Sequence, residues 1–290
     1  MMAADEGPVV QGEVLRSDLI RLRKAKGLTQ EEVARNRGWR TSKLIRIEGG
    51  SDSITEAELS GLLLLYDVTA EAERERLRIL SRGALEVGWW IAYRDEISAP
   101  YLNYVGYEAG TTFVRQFPGS VIPGLLQTAE YADALTASAV DHAQLTAVVG
   151  LRLQRQAELA GRSVSPRQYY VLDESVIRRH VGIERDRAIM PAQLSYIADM
   201  AVHSELITVR VVPFRAGAHA GLSGPFTLLE FDGGLPDLLY LDTGQAEFAY
   251  TTSDRPRVAE YADKFELIVD RALAERESID FIRRAAGEMS

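Results

Sequence analysis

Arg40, Lys43 and Arg46 recur every three residues in RTSKLIRIE. On a helix, that spacing places the three cations along one side. Cations in such a row suit the phosphates of a nucleic acid, and the first residues of a helix lying in a major groove reach base edges. The surrounding charge agrees. Residues 14–48 hold ten Lys or Arg against four Asp or Glu, although the chain as a whole carries −9. A basic patch on an acidic chain points to one confined nucleic-acid surface rather than a general coat protein. The bland alternative is a small solvated helical bundle with a charged face.

Other chemistry is poorly served. GAHAGLSG lacks the Lys-Ser/Thr of a phosphate loop and the strand-turn-helix setting of a dinucleotide fingerprint. There is no Gly-x-Ser-x-Gly elbow and no His-Glu-x-x-His, and His142, His180, His203 and His219 are scattered without metal-ligand spacing. Asp173 and Glu174 are adjacent, so on a strand they point opposite ways. The expectation is a non-enzymatic protein with no cofactor and no metal. A ligand pocket in the second half of the chain has candidates: Gln127 and Glu130 after a Pro-Gly break, Arg152, Arg155 and Gln156 on neighbouring turns, Asp173 and Glu174 at a strand end, and His219 in a glycine-rich loop. The alternative is that residues such as Arg152 and Glu174 simply pair internally.

The elements that must hold the cations are legible. Thr29 followed by Glu32 forms a capping-box pattern opening a short helix that contains Val33 and Ala34. Gly38 sits where a turn needs positive φ. A second helix then runs over residues 41–48, with Leu44 and Ile47 as its apolar side. Three further helices are expected at residues 14–26, 55–66 and 69–86, giving five in all. Residues 1–12 read as a flexible leader, 13–82 as the DNA-binding domain, and 83–99 as a linker in which Trp89 and Trp90 seal a junction. Residues 100–290 read as a regulatory domain for ligand or partner binding and dimerisation. Within it, helices are expected at 101–116, 125–138, 144–161, 191–204, 255–274 and 278–285. Strands are expected at 168–172, 207–213, 226–231 and 238–241, rich in β-formers. The second domain is therefore α+β with a small mixed sheet.

LRKAKGLTQEEVARNRGWRTSKLIRIEGG resembles the DNA-binding domain of Xre/Cro-type, lambda-repressor-like regulators. It shares the Gln opening the second helix, the Ala four residues on, the turn Gly and the Ile-rich ending of the recognition helix. The resemblance implies that Gln30 touches a phosphate, that Arg40, Thr41, Ser42 and Lys43 face bases, and that Arg46 meets a phosphate or the groove wall. Arg37 and Ile45 depart from the family pattern, at an apolar and a polar position respectively. IPGLLQTAEYADAL, LRLQRQAEL, VLDESVIRRHVG and PFRAGAHAGLSGPFTLLEF resemble the domain of unknown function that follows the helix-turn-helix in one group of these regulators. That group is described as antitoxin-like or developmental and is often paired with a small partner protein. The implied partners are a double-stranded operator, a second copy of the chain in a homodimer, and a small partner protein or small-molecule effector. The competing expectation is a protein–protein module that holds a small partner without specific DNA binding.

The length of 290 residues accommodates one small and one larger domain. There is no cysteine, so disulfides and thiolate metal sites are excluded. The first residues lack the basic and apolar regions of a signal peptide, and no apolar run is long enough to span a bilayer. The expected compartment is the cytoplasm, with no membrane partner.

Overall fold

The computed structural model describes residues 7–137, 142–232, 235–241 and 250–289. It divides into two compact units, Met1–Trp89 with Asp232–Leu235, and Trp90–Phe231 with Pro236–Ser290.

The first unit is helical: α1 (Gly7–Ala25), α2 (Gln30–Arg37), α3 (Thr41–Glu48), α4 (Glu56–Leu65) and α5 (Glu71–Gly83). Its core is made of Leu19, Val33, Ala34, Leu44, Ile47, Leu59, Leu62, Leu63, Leu77 and Leu80, all nearly inaccessible. Both short helices flanking α3 start with a capping box, Thr29 with Glu32 and Thr55 with Glu58, so their first turns are fixed by local sequence. α1 begins at Gly7, well before the expected start at residue 14. Residues 7–12 of the expected leader are thus helical, with Val10, Gln11 and Gly12 buried, and residues 1–6 lie outside the described part. The physical reason is that Gln11 packs on Gly83 of α5, where a Cβ would come within 1.5 Å of its Oε1. Helix–helix burial there outweighs a glycine-containing start.

After α5 in the chain, Trp89–Tyr93 forms a 3-10 turn in which Trp90 is buried. The second unit continues with α6 (Ala99–Glu108), β1 (Phe113–Phe117), α7 (Ala129–Ala137), α8 (His142–Ala160), β2 (Arg167–Asp173), α9 (Glu174–Arg178), α10 (Ile189–His203), β3 (Ile207–Val212), β4 (Phe226–Glu230), β5 (Leu238–Leu241), β6 (Tyr250–Thr252), α11 (Arg255–Val269) and α12 (Glu275–Met289). Among the described residues the sheet has six strands in the order β3-β2-β1-β4-β5-β6. β1 pairs with β2 in parallel and with β4 antiparallel, so the sheet is mixed. Alternation along β2 decides the two cores. Tyr170 and Leu172 join Leu194, Ile197 and Ile282, whereas Val171 joins Phe226, Phe265 and Ile268. Both faces are therefore covered, as a parallel pair requires.

Several elements differ from expectation. The helix expected over 101–116 stops at Glu108, and residues 113–117 form the central strand β1. Its partners, residues 167–170 and 226–230, are remote in sequence, so its pairing overrides the local aromatic spacing. β6 and the five-residue α9 were not expected. α11 ends at Val269 because the following backbone turns to β3: Leu273 N–H donates to the Val211 carbonyl at 2.8 Å.

Candidate functional site

α3 has two faces. Leu44 and Ile47 are 1% and 2% exposed and lock it into the core. On the other side Arg40, Ser42, Ile45 and Arg46 are exposed, while Thr41 and Lys43 are half-buried. The turn before α3 depends on Gly38, which has φ 67° and ψ 27°. Trp39 N–H closes that turn on the Ala34 carbonyl at 2.8 Å.

The cations on this face are not equivalent. Arg40 is the N-cap residue, makes no side-chain cap bond, and has no ion-pair partner among the described residues. Lys43 pairs with Glu58 and lies 4.9 Å from the Trp39 ring centroid. Arg46 pairs with Asp52 at 3.2 Å. Partly exposed pairs of this kind are worth only about 0–1 kcal/mol, so Lys43 and Arg46 can exchange a carboxylate for a phosphate at little cost. Burial alone would raise the Glu58 carboxyl, but hydrogen bonds from Lys43 and from the Thr55 backbone and hydroxyl outweigh it and hold the group below its ordinary value.

Gln30 does not project freely. Its Nε2 donates to Glu48 Oε2 at 2.8 Å. The same carboxylate accepts Arg23 Nε at 2.6 Å and Nη2 at 2.9 Å, and Arg23 Nη1 donates to the Leu28 carbonyl at 2.8 Å. One nearly buried carboxylate thus ties the end of α1, the start of α2 and the end of α3. Burial, then the nearby Glu48 charge, push Tyr66 up to about 12. Arg37, anomalous by sequence, also has a place. Its guanidinium lies over Gly61 of α4, where a Cβ would fall 1.9 Å from Nη2, and 5.8 Å from the Trp39 ring centroid. Sequence reasoning passed over Trp39, Arg23 and Glu48. Only the Trp beside a turn glycine was visible as a signal, since the pairing of Arg23 with Glu48 spans 25 residues.

The candidates of the second unit fall into separate groups. Gln127, Arg152 and Arg155 line one cavity of about 120 Å³, beside Tyr101, Tyr104 and Thr227. Arg155 is clamped by Glu108 through Nε at 2.7 Å and Nη2 at 2.6 Å, and its guanidinium sits 5.5 Å from the ring centroids of both Tyr101 and Tyr104. Gln156 is a loop tether, donating to the Gly124 and Gln127 carbonyls at 2.8 and 2.9 Å. Asp173, Glu174 and His219 form a different cluster. Asp173 caps α9 through the Ser175 N–H and meets His219 Nε2 at 3.2 Å. Glu174 accepts the Phe214 N–H at 2.7 Å and pairs with Arg178. These bonds fix the loop after β3, and Gly221 lies so close to Phe117 that a Cβ would come within 2.5 Å of the ring. Glu130 is exposed and joins neither group. The internal Arg152–Glu174 pair considered as an alternative does not form, because each side chain has other partners.

Comparison with known families agrees with this division. Residues 15–77 match a helix-turn-helix domain. Residues 101–284, well over half the chain, match a domain of unknown function, DUF5753. The chain belongs to the DUF5753 family. No curated protein and no solved structure matches it. The DUF5753 domain thus contains the whole of the cavity and of the Asp173–Glu174–His219 cluster, and the helix-turn-helix domain contains α2 and α3. No helix among the described residues is long and apolar enough to cross a membrane.

Proposed function

We propose that this chain is a sequence-specific transcriptional regulator of the Xre/Cro type that binds a palindromic duplex operator as a homodimer. The observation that carries the reading is the two-faced α3, with Leu44 and Ile47 locked inward and Arg40, Ser42, Ile45 and Arg46 outward. Arg40, Thr41, Ser42 and Lys43 face base edges, and Arg46 meets phosphate. Gln30, held by Glu48, presents the start of α2 to the backbone. Ile45, half exposed at 50%, contacts a thymine methyl in place of a polar contact. A single short helix reads few base pairs, so useful specificity requires two half-sites about 34 Å apart. The DUF5753 domain dimerises and senses a small partner protein or effector, and the protein works without catalysis in the cytoplasm.

The exposed Ile45 also supports a second reading, in which α3 docks on a small protein partner in the manner of an antitoxin and no specific DNA is bound. Selection of duplexes from a random pool by the intact chain separates the two. Enrichment of a two-fold symmetric sequence supports the regulator. Recovery of no preferred sequence, with a stoichiometric small protein on co-purification, supports the docking module.

A further inference from the structure

The cavity beside Arg152 has a charge that nothing in the described structure balances. Arg155 is neutralised by Glu108 through two hydrogen bonds. Arg152 is not. Its Nη1 donates to the Thr136 hydroxyl at 2.7 Å and reaches the Gln127 amide oxygen at 3.4 Å, and no carboxylate faces it among the described residues. Its Nε and Nη2 make no hydrogen bond to described residues. Burial pushes this guanidinium below its ordinary value; Tyr101 partly offsets that and Arg155 adds to it. Arg152 is only partly buried, so these donors are left to solvent or to an anion that enters the cavity.

The remaining walls narrow the class of anion. Among the described residues no Asp, Glu or Lys lines the cavity, and with Arg155 paired to Glu108 the described lining carries the charge of one arginine. The walls are aromatic and prolyl: Tyr104 stacks on Tyr240 with ring centroids 4.2 Å apart, and Pro118, Pro123 and Pro225 close the sides. Gln116 and Thr227 also line the cavity. A planar guanidinium with two free donor sites matches a carboxylate in bidentate geometry. One positive charge in a partly open, aromatic-walled cavity of about 120 Å³ suits a compact monoanion better than a doubly charged phosphate.

We propose that this cavity of the DUF5753 domain binds a small organic monocarboxylate through Arg152, with its apolar body against Tyr101, Tyr104 and Tyr240. The inference deepens the sensing role proposed above and names its ligand class.

The test uses the intact chain without DNA, with benzoate, acetate and inorganic phosphate as probes, read by calorimetry. Benzoate is expected to bind with a roughly millimolar Kd, acetate more weakly and phosphate not measurably. Arg152→Met, which keeps the apolar stem, is expected to weaken benzoate about tenfold or more. Absence of benzoate binding, phosphate binding as tightly as benzoate, or unchanged affinity in Arg152→Met each overturns the proposal. Should that variant fail to fold, magnetisation transfer from benzoate to the ring protons of Tyr101 and Tyr240 in the unaltered chain decides: transfer supports the site and its absence refutes it. A final arm measures duplex affinity with and without benzoate. Binding that leaves duplex affinity unchanged refutes sensing and keeps the site, whereas failure to bind leaves DNA recognition untouched.

Discussion

Glu48 is the side chain on which the geometry of α2 and α3 depends most. Its carboxylate is 5% exposed and its main partner Arg23 is 11% exposed. Glu48→Ala removes a two-pronged ion pair and the Gln30 bond together. Breaking a fully buried pair by removing one partner costs about 3–5 kcal/mol. Here Arg23 keeps its bond to the Leu28 carbonyl and can draw water at its exposed edge, so a cost of about 2–3 kcal/mol is expected. That corresponds to a roughly 30- to 150-fold larger population of the locally opened structure. Hydrogen–deuterium exchange of the α2 and α3 amides in the intact protein reads it. Arg35→Ala is the control, because its partner Glu31 and Arg35 itself are each 72% exposed and the pair is worth little. Exchange in Glu48→Ala no faster than in Arg35→Ala would refute the reasoning that this carboxylate holds the three helix ends together.

Other consequences follow from the same structure. Gly38→Ala is expected to lower the stability of the helical unit by about 1–2 kcal/mol in thermal melts, through the left-handed backbone alone, since nothing lies within 4 Å of the added Cβ. Because the Glu58 carboxyl is held below its unfolded value, its stabilising contribution is present above about pH 4.3 and is lost as pH falls further. An acid titration of helical-unit stability should therefore flatten below that pH in Glu58→Gln relative to the unaltered chain. Arg155→Met is expected to cost about 3–5 kcal/mol in urea unfolding by stranding Glu108, and replacing both with apolar residues of similar volume should recover most of that loss. Arg46→Ala should lower the log–log salt slope of duplex binding by about one while leaving sequence preference intact.

What could be read from sequence was what is local. The starts of α2 and α4 are written in Thr29 with Glu32 and Thr55 with Glu58, and both capping boxes form. The turn at Gly38 is likewise a matter of one residue's backbone freedom. The α+β class of the second unit was legible because the β-rich runs of β2, β3, β4 and β5 are bounded by turn residues. Elements that depend on distant partners were not. β1 lies between two strands far along the chain, and the Phe113 and Phe117 that mark it also fit a helix stripe. Arg152 and Arg155 were singled out from helix spacing and Gln127 from its place after a Pro-Gly break, and the structure gathers them on one cavity. The Glu108 clamp, 47 residues from Arg155, and the Tyr101–Tyr104–Tyr240 wall were invisible until the chain folded. His219 was noted for its glycine-rich loop, but its bonds to Asp173 and Gly221 serve the loop's own shape.

The central claim is that the outward edge of α3 reads DNA, and Arg40 tests it most directly because no described side chain depends on it for folding. The measurement is the ratio of affinities for a selected duplex and a scrambled one, in the unaltered chain and in Arg40→Ala, at one fixed salt concentration. Loss of one base-reading arginine should shrink that ratio by about 1–3 kcal/mol, or roughly 5- to 150-fold, with the melting curve unchanged. A ratio that stays the same in the variant would contradict the account.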